Sequence, residues 1–428
     1  MTDRAGDAAS RMNWAGNQAY HAERVHEPAS LERLQEIVRK AKRLKVLGSR
    51  HSFNDIADTT GDLVSLRGMP RVFDLDRTAG TVRVDGGVRY GELCARIDAA
   101  GFALHNLASL PHISVAGACA TATHGSGDRN GNLATAVSAV EVVTPSGETT
   151  ALSRDRDPDI FDGAVVSLGA IGVVTTLTLQ LQPTFQMRQE VYEDLSFDRL
   201  ADHFDAITSL ADCVSLFTEW RSSMFEQVWL KSRVTVDRGD DPEPQRFGAT
   251  RATKPLHPIR RMPADACTQQ LGVPGPWYER MPHFRMDHTP SAGAELQSEY
   301  LVPRRHAVDA LLALDAVRHR FAPLVQVSEV RTIASDRLWM STATGRASVG
   351  FHFTWQPDAE SVGSVLPTVE AALAPYDPRP HWGKLFAMPP DAIRASYPDL
   401  PRFVDLVDRF DPAGTCRNAF LDRILRAG

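Results

Sequence analysis

The 428-residue sequence is most informative first for what it lacks. It has only five cysteines, Cys94, Cys119, Cys213, Cys267 and Cys416, an odd number with no CxxC pair. That excludes a disulfide framework and a zinc ribbon. Reduced thiols fit the cytoplasm. No apolar run approaches the ~20 residues a membrane-spanning helix needs. The opening MTDRAGDAAS is polar and carries no signal-peptide core. A cytoplasmic protein without membrane attachment is therefore predicted. Charge of one sign is also missing. Basic residues number 47 against 53 acidic, a net charge of -6, so there is no electrostatic case for nucleic acid or an anionic membrane as partner. Lysine is scarce, at six positions, so a lysine in an apolar setting stands out.

Familiar catalytic signatures are absent too. HExxH, GxSxG and the Walker A pattern do not occur, and Gly383-Lys384 is followed by leucine. Gly125-Ser126-Gly127-Asp128-Arg129-Asn130 lacks the third glycine of a dinucleotide fingerprint and follows no predicted strand. Zinc hydrolases, serine hydrolases and Rossmann enzymes lose their main support, and no metal is expected.

What is present reads as an ordinary globular chain. With 43% hydrophobic and 23% charged residues, it can bury a large core, and its length suggests two or three domains at roughly 150 residues each. Ser30 can cap a helix carrying Leu31, Leu34, Ile37, Val38 and Ala41 at helical spacing. A strand at 45–47, a hairpin over 71–85 and a helix over 90–100 follow. Residues 106–132 show no periodicity and are rich in Gly, Ala, Ser, Thr and His, which predicts a long functional loop. Strands at 137–143 and 173–181 close a first α+β block near residue 183. In a second block, residues 237–258 read as a polar surface loop. Beyond it come strands at 294–302, 324–333 and 347–355 and helices at 305–320 and 361–373.

Four constellations carry chemistry. Gly48-Ser49-Arg50-His51-Ser52-Phe53-Asn54-Asp55 lies at a strand end, where small residues let backbone N–H groups approach a phosphate and His51 offers a neutral nucleophile. A turn with a surface histidine gives the same pattern. The loop from Ala108 through Ser109, Ser114 and Gly117 to Thr121-Ala122-Thr123-His124-Gly125 is poor in Lys and Glu, which suits an extended anionic cofactor better than a solvated loop. Glu329 and Arg331 share one strand face with Val325, Val327 and Ile333, so an acid and a base stand in an apolar row. They are either a structural ion pair or a ligand-binding pair. His352 and Thr354 form a polar face opposite Phe351, Phe353 and Trp355 and could line a pocket or meet solvent. Lys384 joins this group through the scarcity of lysine.

Together these segments resemble the alditol oxidases of the vanillyl-alcohol-oxidase flavoprotein family. The resemblance rests on Gly48-Ser49-Arg50-His51-Ser52-Phe53-Asn54, Ala108-Ser109-Leu110-Pro111-His112-Ile113-Ser114-Val115-Ala116-Gly117 and Thr123-His124-Gly125-Ser126-Gly127. On the substrate side it rests on Glu295-Leu296-Gln297-Ser298-Glu299-Tyr300, Glu329-Val330-Arg331-Thr332, His352-Phe353-Thr354-Trp355 and Pro380-His381-Trp382-Gly383-Lys384. It implies a two-domain α+β fold, with a PCMH-type FAD-binding domain over 1–183 joined by about 390–428 and a substrate cap over 184–389.

It further implies FAD bound covalently through His51. The cofactor would touch Val46, Leu47, Gly48, Ser49, Arg50, Ser52, Ser114, Gly117, Thr121, Ala122, Thr123, His124, Val174 and His381. A polyol would bind to Ser109, Glu329, Arg331, Thr354 and Lys384, with Arg331, Lys384 and His352 as catalytic groups. The implied reaction oxidises a terminal primary hydroxyl of xylitol or sorbitol to the aldose by hydride transfer to flavin N5, and O2 is reduced to H2O2. The partners are thus a small polyol and O2, and a monomer is expected. Arg50 departs from the family pattern, where a small residue often precedes the linking histidine. The competing readings are an aldonolactone oxidase, a polyol dehydrogenase with another electron acceptor, and a non-catalytic flavin- or sugar-binding protein.

Overall fold

The computed structural model describes residues 11–234, 247–288 and 295–426. The polar N-terminal decapeptide, part of the predicted 237–258 loop, and Ala294 of the predicted 294–302 strand lie outside them.

The first block begins as a parallel unit. Ser30 Oγ accepts the Arg33 N–H and starts the helix Leu31–Lys40, whose buried face is Leu34, Ile37 and Val38. The chain returns as Leu44–Leu47, which pairs in parallel with Asp62–Ser65, itself paired in parallel with Arg24–His26. A five-stranded antiparallel sheet follows, in the order Phe73–Asp76, Thr81–Asp85, Val173–Gln180, Val137–Val143, Thr149–Ser153. Helices Pro390–Ser396, Leu400–Phe410 and Ala419–Leu425 come back to this block. Their Ile393, Phe403, Leu406, Phe420 and Leu421 share its core.

The second block is a nine-stranded antiparallel sheet. Its central strands run Cys213–Thr218, Val325–Ile333, Ser348–Trp355, Leu296–Pro303. Helices Phe197–Thr208, Ala307–Val317 and Ala359–Leu373 cover one face, packing on Val330, Phe351, Phe353 and Trp355. Phe353 and Trp355 stack at 5.0 Å, with Phe321 edge-on to both. The opposite face looks toward the first block. That apposition explains why the polar face of Ser348–Trp355 meets protein rather than solvent.

The expected elements at 31–41, 45–47, 71–85, 90–100, 137–143, 173–181, 305–320, 324–333, 347–355 and 361–373 are all found, within a few residues at their ends. Three expectations need correction, and two strands gave no readable signal in the sequence. Residues 106–132 are not all loop, because Val115–Ala120 is helical; its run of small residues gave no amphipathic period. Val325 does not share a face with Val327: a β-bulge between them turns Val325 into the helix-covered core. The second half of the predicted surface loop is packed, with Phe247, Ala249, Ala252 and His257 buried. Gln186–Ser196 and Met224–Arg233 are strands that carry buried Gln189, Glu190, Gln227 and Lys231, and these polar residues mask the apolar pattern. Among the described residues no helix is long and apolar enough to cross a membrane.

Candidate active site

A cavity of about 610 Å³ lies between the two blocks. Its first-block wall is made by the loop that leaves Leu44–Leu47. Arg50 stands there at φ 63, a left-handed backbone that glycine adopts without strain. This is the physical reason a small residue suits that position. The next residue, His51, donates from Nδ1 to Ser49 O at 2.8 Å and stacks on Trp14 at 5.4 Å. Burial pulls its pKa down to about 4, so the ring is neutral at physiological pH. Its Nε2 is buried and has no protein partner, and the same holds for Ser114 Oγ. Glycine keeps the backbone close here: a Cβ at Gly48 would stand 2.7 Å from Ser114 Oγ, and one at Gly117 2.8 Å.

Of the residues expected to touch a cofactor, Val46, Leu47, Gly48, Ser49, Arg50, His51, Ser52, Ser114, Gly117, Thr121, Thr123, His124, Val174 and His381 line the cavity. Ala122 does not. After the helix Val115–Ala120 the chain turns at φ 53, and the Ala122 methyl enters the first-block core.

Strand register builds the facing wall. Phe217, Glu329, His352 and Glu299 lie in one row across neighbouring strands. One step along, Val327, Thr354 and Gln297 form a second row. The period of two turns both rows to the same face, and all seven residues line the cavity. Arg331 pairs with Gly350, where a Cβ would stand only 3.1 Å from Glu299 Oε1. The missing side chain is what lets the Arg331 guanidinium reach across to Glu299.

Glu299 is the hub. Arg331 donates to its Oε1 at 3.0 Å and Lys384 to its Oε2 at 2.6 Å, while His124 Nε2 lies 3.3 Å from Oε1. Arg331 also donates to Ser109 Oγ at 3.2 Å and stands 3.5 Å from Glu329 Oε2. Burial alone would raise both carboxyls; Lys384, Arg331 and His124 hold Glu299, and Arg331 and His283 hold Glu329, well below the usual carboxylate range. Burial lowers the Lys384 ammonium, with Glu299 opposing. Lys384 Nζ also donates to His352 Nδ1 at 2.6 Å. An ammonium cannot accept, so Nδ1 carries the lone pair and Nε2–H donates to Thr354 Oγ1 at 3.1 Å. The Thr354 hydroxyl proton is then free to point into the cavity.

Ser109, Glu329, Arg331, His352, Thr354 and Lys384 are therefore brought together. Sequence reasoning missed Glu299, although the alternation Gln297, Glu299 offered the same signal as Glu329, Arg331. It also passed over two buried lysines. Lys45 donates to Gly169 O at 3.0 Å and Leu168 O at 3.2 Å, and burial lowers its pKa to about 8. Lys231 lies beneath Glu329, and burial lowers its pKa to about 7. The scarcity of lysine could have flagged both. As chemistry, the site offers fixed cationic donors, carboxylate acceptors and the two hydroxyls of Ser109 and Thr354 around a buried space. It suits a neutral ligand rich in hydroxyl groups.

Comparison with known proteins agrees in extent. Residues 22–153 match the FAD binding domain model and residues 293–424 the D-arabinono-1,4-lactone oxidase model. The chain is 50% identical to an alditol oxidase of a Streptomyces species over 96% of its own length and 98% of that protein. It is 30% identical to an L-gulono-1,4-lactone dehydrogenase of Mycobacterium tuberculosis, over 96% and 98%. In three dimensions it is similar to a cholesterol oxidase from B. sterolicum, with a TM-score of 0.75 at 13% identity, covering 97% and 96% of the two chains.

Proposed function

The chain belongs to the vanillyl-alcohol-oxidase family of PCMH-type FAD flavoproteins, and from that premise we propose that it is an alditol oxidase. Its substrate is a polyol such as xylitol or sorbitol, oxidised at a terminal primary hydroxyl to the aldose. The observation that carries this reading is the buried Arg331–Glu299–Lys384 cluster beside Glu329 and Thr354, which faces the glycine-lined loops across one cavity.

FAD fits those loops. The unpartnered His51 Nε2 and Ser114 Oγ, and the close approach enforced at Gly48 and Gly117, suit a bound group with phosphates and a ring. The proposal places a covalent bond to the flavin on a ring nitrogen of His51. The remaining contacts are Val46 to Ser52, Ser114, Gly117, Thr121, Thr123, His124, Val174 and His381. The FAD-binding unit is then 1–183 with 390–428, and the cap is 184–389. When bound, FAD supplies the hydride acceptor and passes the electrons on to O2, giving H2O2.

The chain's own residues do the rest. Ser109, Glu329, Arg331, Thr354 and Lys384 bind the hydroxyls. Glu329 accepts a hydroxyl proton in a hydrogen bond and Thr354 donates one. Arg331 and Lys384 stand where negative charge develops on the reacting oxygen, and burial strengthens their effect. His352, drawn down to about 4 by burial and by Lys384, is uncharged and holds Thr354 in its donating orientation. The buried free cysteines suit the cytoplasm, and among the described residues the six exposed large apolar side chains fall in four separate stretches of the chain, a pattern that suits a monomer.

The match of residues 293–424 to the lactone oxidase model favours an aldonolactone as the second reading. One experiment separates the two. Purified protein is mixed anaerobically with xylitol, sorbitol or L-gulono-1,4-lactone while flavin absorbance is followed, and peroxide is assayed in air. Bleaching and peroxide with the alditols are expected. Reduction by the lactone alone would overturn the alditol reading. A yellow band surviving denaturation in the wild type and lost in His51→Ala is expected for the covalent bond.

A further inference from the structure

Behind Glu329 lies a second lysine–histidine pair that the reaction as described does not use. Lys231 is 1% exposed on the strand Met224–Arg233. Its Nζ donates to Met281 O at 2.6 Å and Pro282 O at 2.9 Å, and lies 2.9 Å from His283 Nδ1. On the far side of the ring, His283 Nε2 stands 2.9 Å from Glu329 Oε1. Phe217 and Trp229 pack edge-on against the same imidazole, at 5.5 and 5.3 Å, so it has little freedom to turn. The His283 N–H also donates to Ser109 O at 3.0 Å, tying the cap loop to a second residue of the binding wall.

Hydrogen-bond logic assigns every proton. Met281 O and Pro282 O accept from Lys231 Nζ, and on the far side of the ring the Glu329 carboxylate oxygen can only accept, so His283 Nε2 carries a proton. Burial draws His283 down to about 4, so the ring is neutral and its Nδ1 is a third acceptor for Lys231, whose ammonium form, dominant below about pH 7, donates to all three. The neutral ring then carries its proton on Nε2 and donates to Glu329 Oε1. The other tautomer would set two lone pairs against each other at 2.9 Å.

We infer that Lys231 and His283 are positioning residues. Lys231 and Glu329, on opposite sides of the ring, require the Nε2–H tautomer of His283; Lys231 anchors the imidazole, and His283 holds Oε1 of Glu329 so that Oε2 is turned toward Arg331 and the substrate hydroxyls. This rests on the alditol reading for its substrate, and on the geometry alone for the tautomer. The same device appears on the neighbouring strand, where Lys384 fixes His352 as a donor to Thr354. The site thus uses a lysine twice to set a neutral histidine, once toward an acceptor and once toward a hydroxyl.

The test uses the FAD-loaded protein, with Lys231→Met, His283→Leu and His283→Gln. Anaerobic stopped flow with xylitol separates binding from the limiting rate of flavin reduction. Glu329 contacts bound substrate in both ground and transition states, so its misplacement falls mainly on binding. Lys231→Met and His283→Leu are each expected to weaken xylitol binding by roughly tenfold or more, with a smaller change in limiting rate. His283→Gln keeps a donor and is expected to stay near wild type. Equal losses in the Gln and Leu variants, or unchanged binding in Lys231→Met, would overturn the inference.

Nitrogen-15 spectra of labelled histidine give a readout that needs no substrate. The wild type should show a neutral Nε2–H ring that disappears in His283→Gln. A wild type in the Nδ1–H form would sink the inference even if xylitol is turned over. If only a lactone reduces the flavin, the alditol reading fails while the spectra still decide this one; if Lys231→Met does not fold, the His283 pair carries the binding test.

Discussion

Glu299→Gln is the sharpest perturbation of this site, because it removes one charge from between two buried cations and changes almost no volume. The side chains of Glu299 and Arg331 are 1% and 6% exposed, and that of Lys384 is 12% exposed. At an effective dielectric near 20, unit charges ~3 Å apart attract by about 5–6 kcal/mol. Glu299 makes two such contacts, at 3.0 and 2.6 Å. Most of that attraction offsets the cost of burying the ions, and breaking a buried pair by deleting one partner costs about 3–5 kcal/mol net. Part of the strain is relieved when Lys384, already lowered by burial, gives up its proton.

A net loss near 3 kcal/mol corresponds to a fall of roughly 6–12 °C in Tm for a domain of this size. Thermal unfolding of FAD-loaded protein at pH 7 measures it. The sign in acid follows from linkage. The folded Glu299 carboxyl titrates well below 4.5, its unfolded value, so its contribution is complete above that pH and fades as pH falls through the folded pKa. The Glu299 part of the gap between wild type and variant should therefore be constant from pH 6 to 8 and shrink in strong acid, while proton release from Lys384 in the variant narrows the gap as pH rises. Adding Lys384→Met to Glu299→Gln should recover stability, because the surplus cation goes with the missing anion. A Glu299→Gln protein melting within about 2 °C of wild type, or a double variant less stable than the single, would refute the hub.

Two further outcomes follow from the same geometry. Arg331→Ala and Lys384→Met should each slow anaerobic flavin reduction by xylitol by about 10²–10³-fold, and an unchanged rate in both would remove their proposed roles. At position 50 the left-handed backbone should tolerate Arg50→Gly within about 1 kcal/mol, whereas Arg50→Val should cost about 1–2 kcal/mol in a urea melt; a Val variant as stable as wild type would contradict that backbone assignment.

Much of the site was legible in the chain because two simple periods and a few short motifs carry it. Alternation put Glu329 with Arg331 and His352 with Thr354 on one face each, and the structure brings all four to one cavity. The glycine-rich loops announced themselves by what they lack, long charged side chains. What stayed hidden has specific causes. Val325 followed the alternation on paper, but a bulge costs one residue of register and cannot be read from side-chain type. Ala122 sits inside a matching motif, yet one left-handed turn sends its methyl to the core. Lys231 lies on Met224–Arg233, a strand whose buried Gln227 and Lys231 break the apolar pattern that would have announced it.

By itself the sequence determined most of the element types and, by alternation, the pairs Glu329 with Arg331 and His352 with Thr354, since these depend on local period, capping and turn chemistry. Only the tertiary structure decided that Glu299 joins Arg331 to Lys384, that Gly350 clears the space between them, and that His283 and Lys231 stand behind Glu329. Those pairings link residues 32, 85, 46 and 52 positions apart. They are set by which strands neighbour each other in the sheet and by where two blocks meet, and neither is encoded in any local stretch of chain.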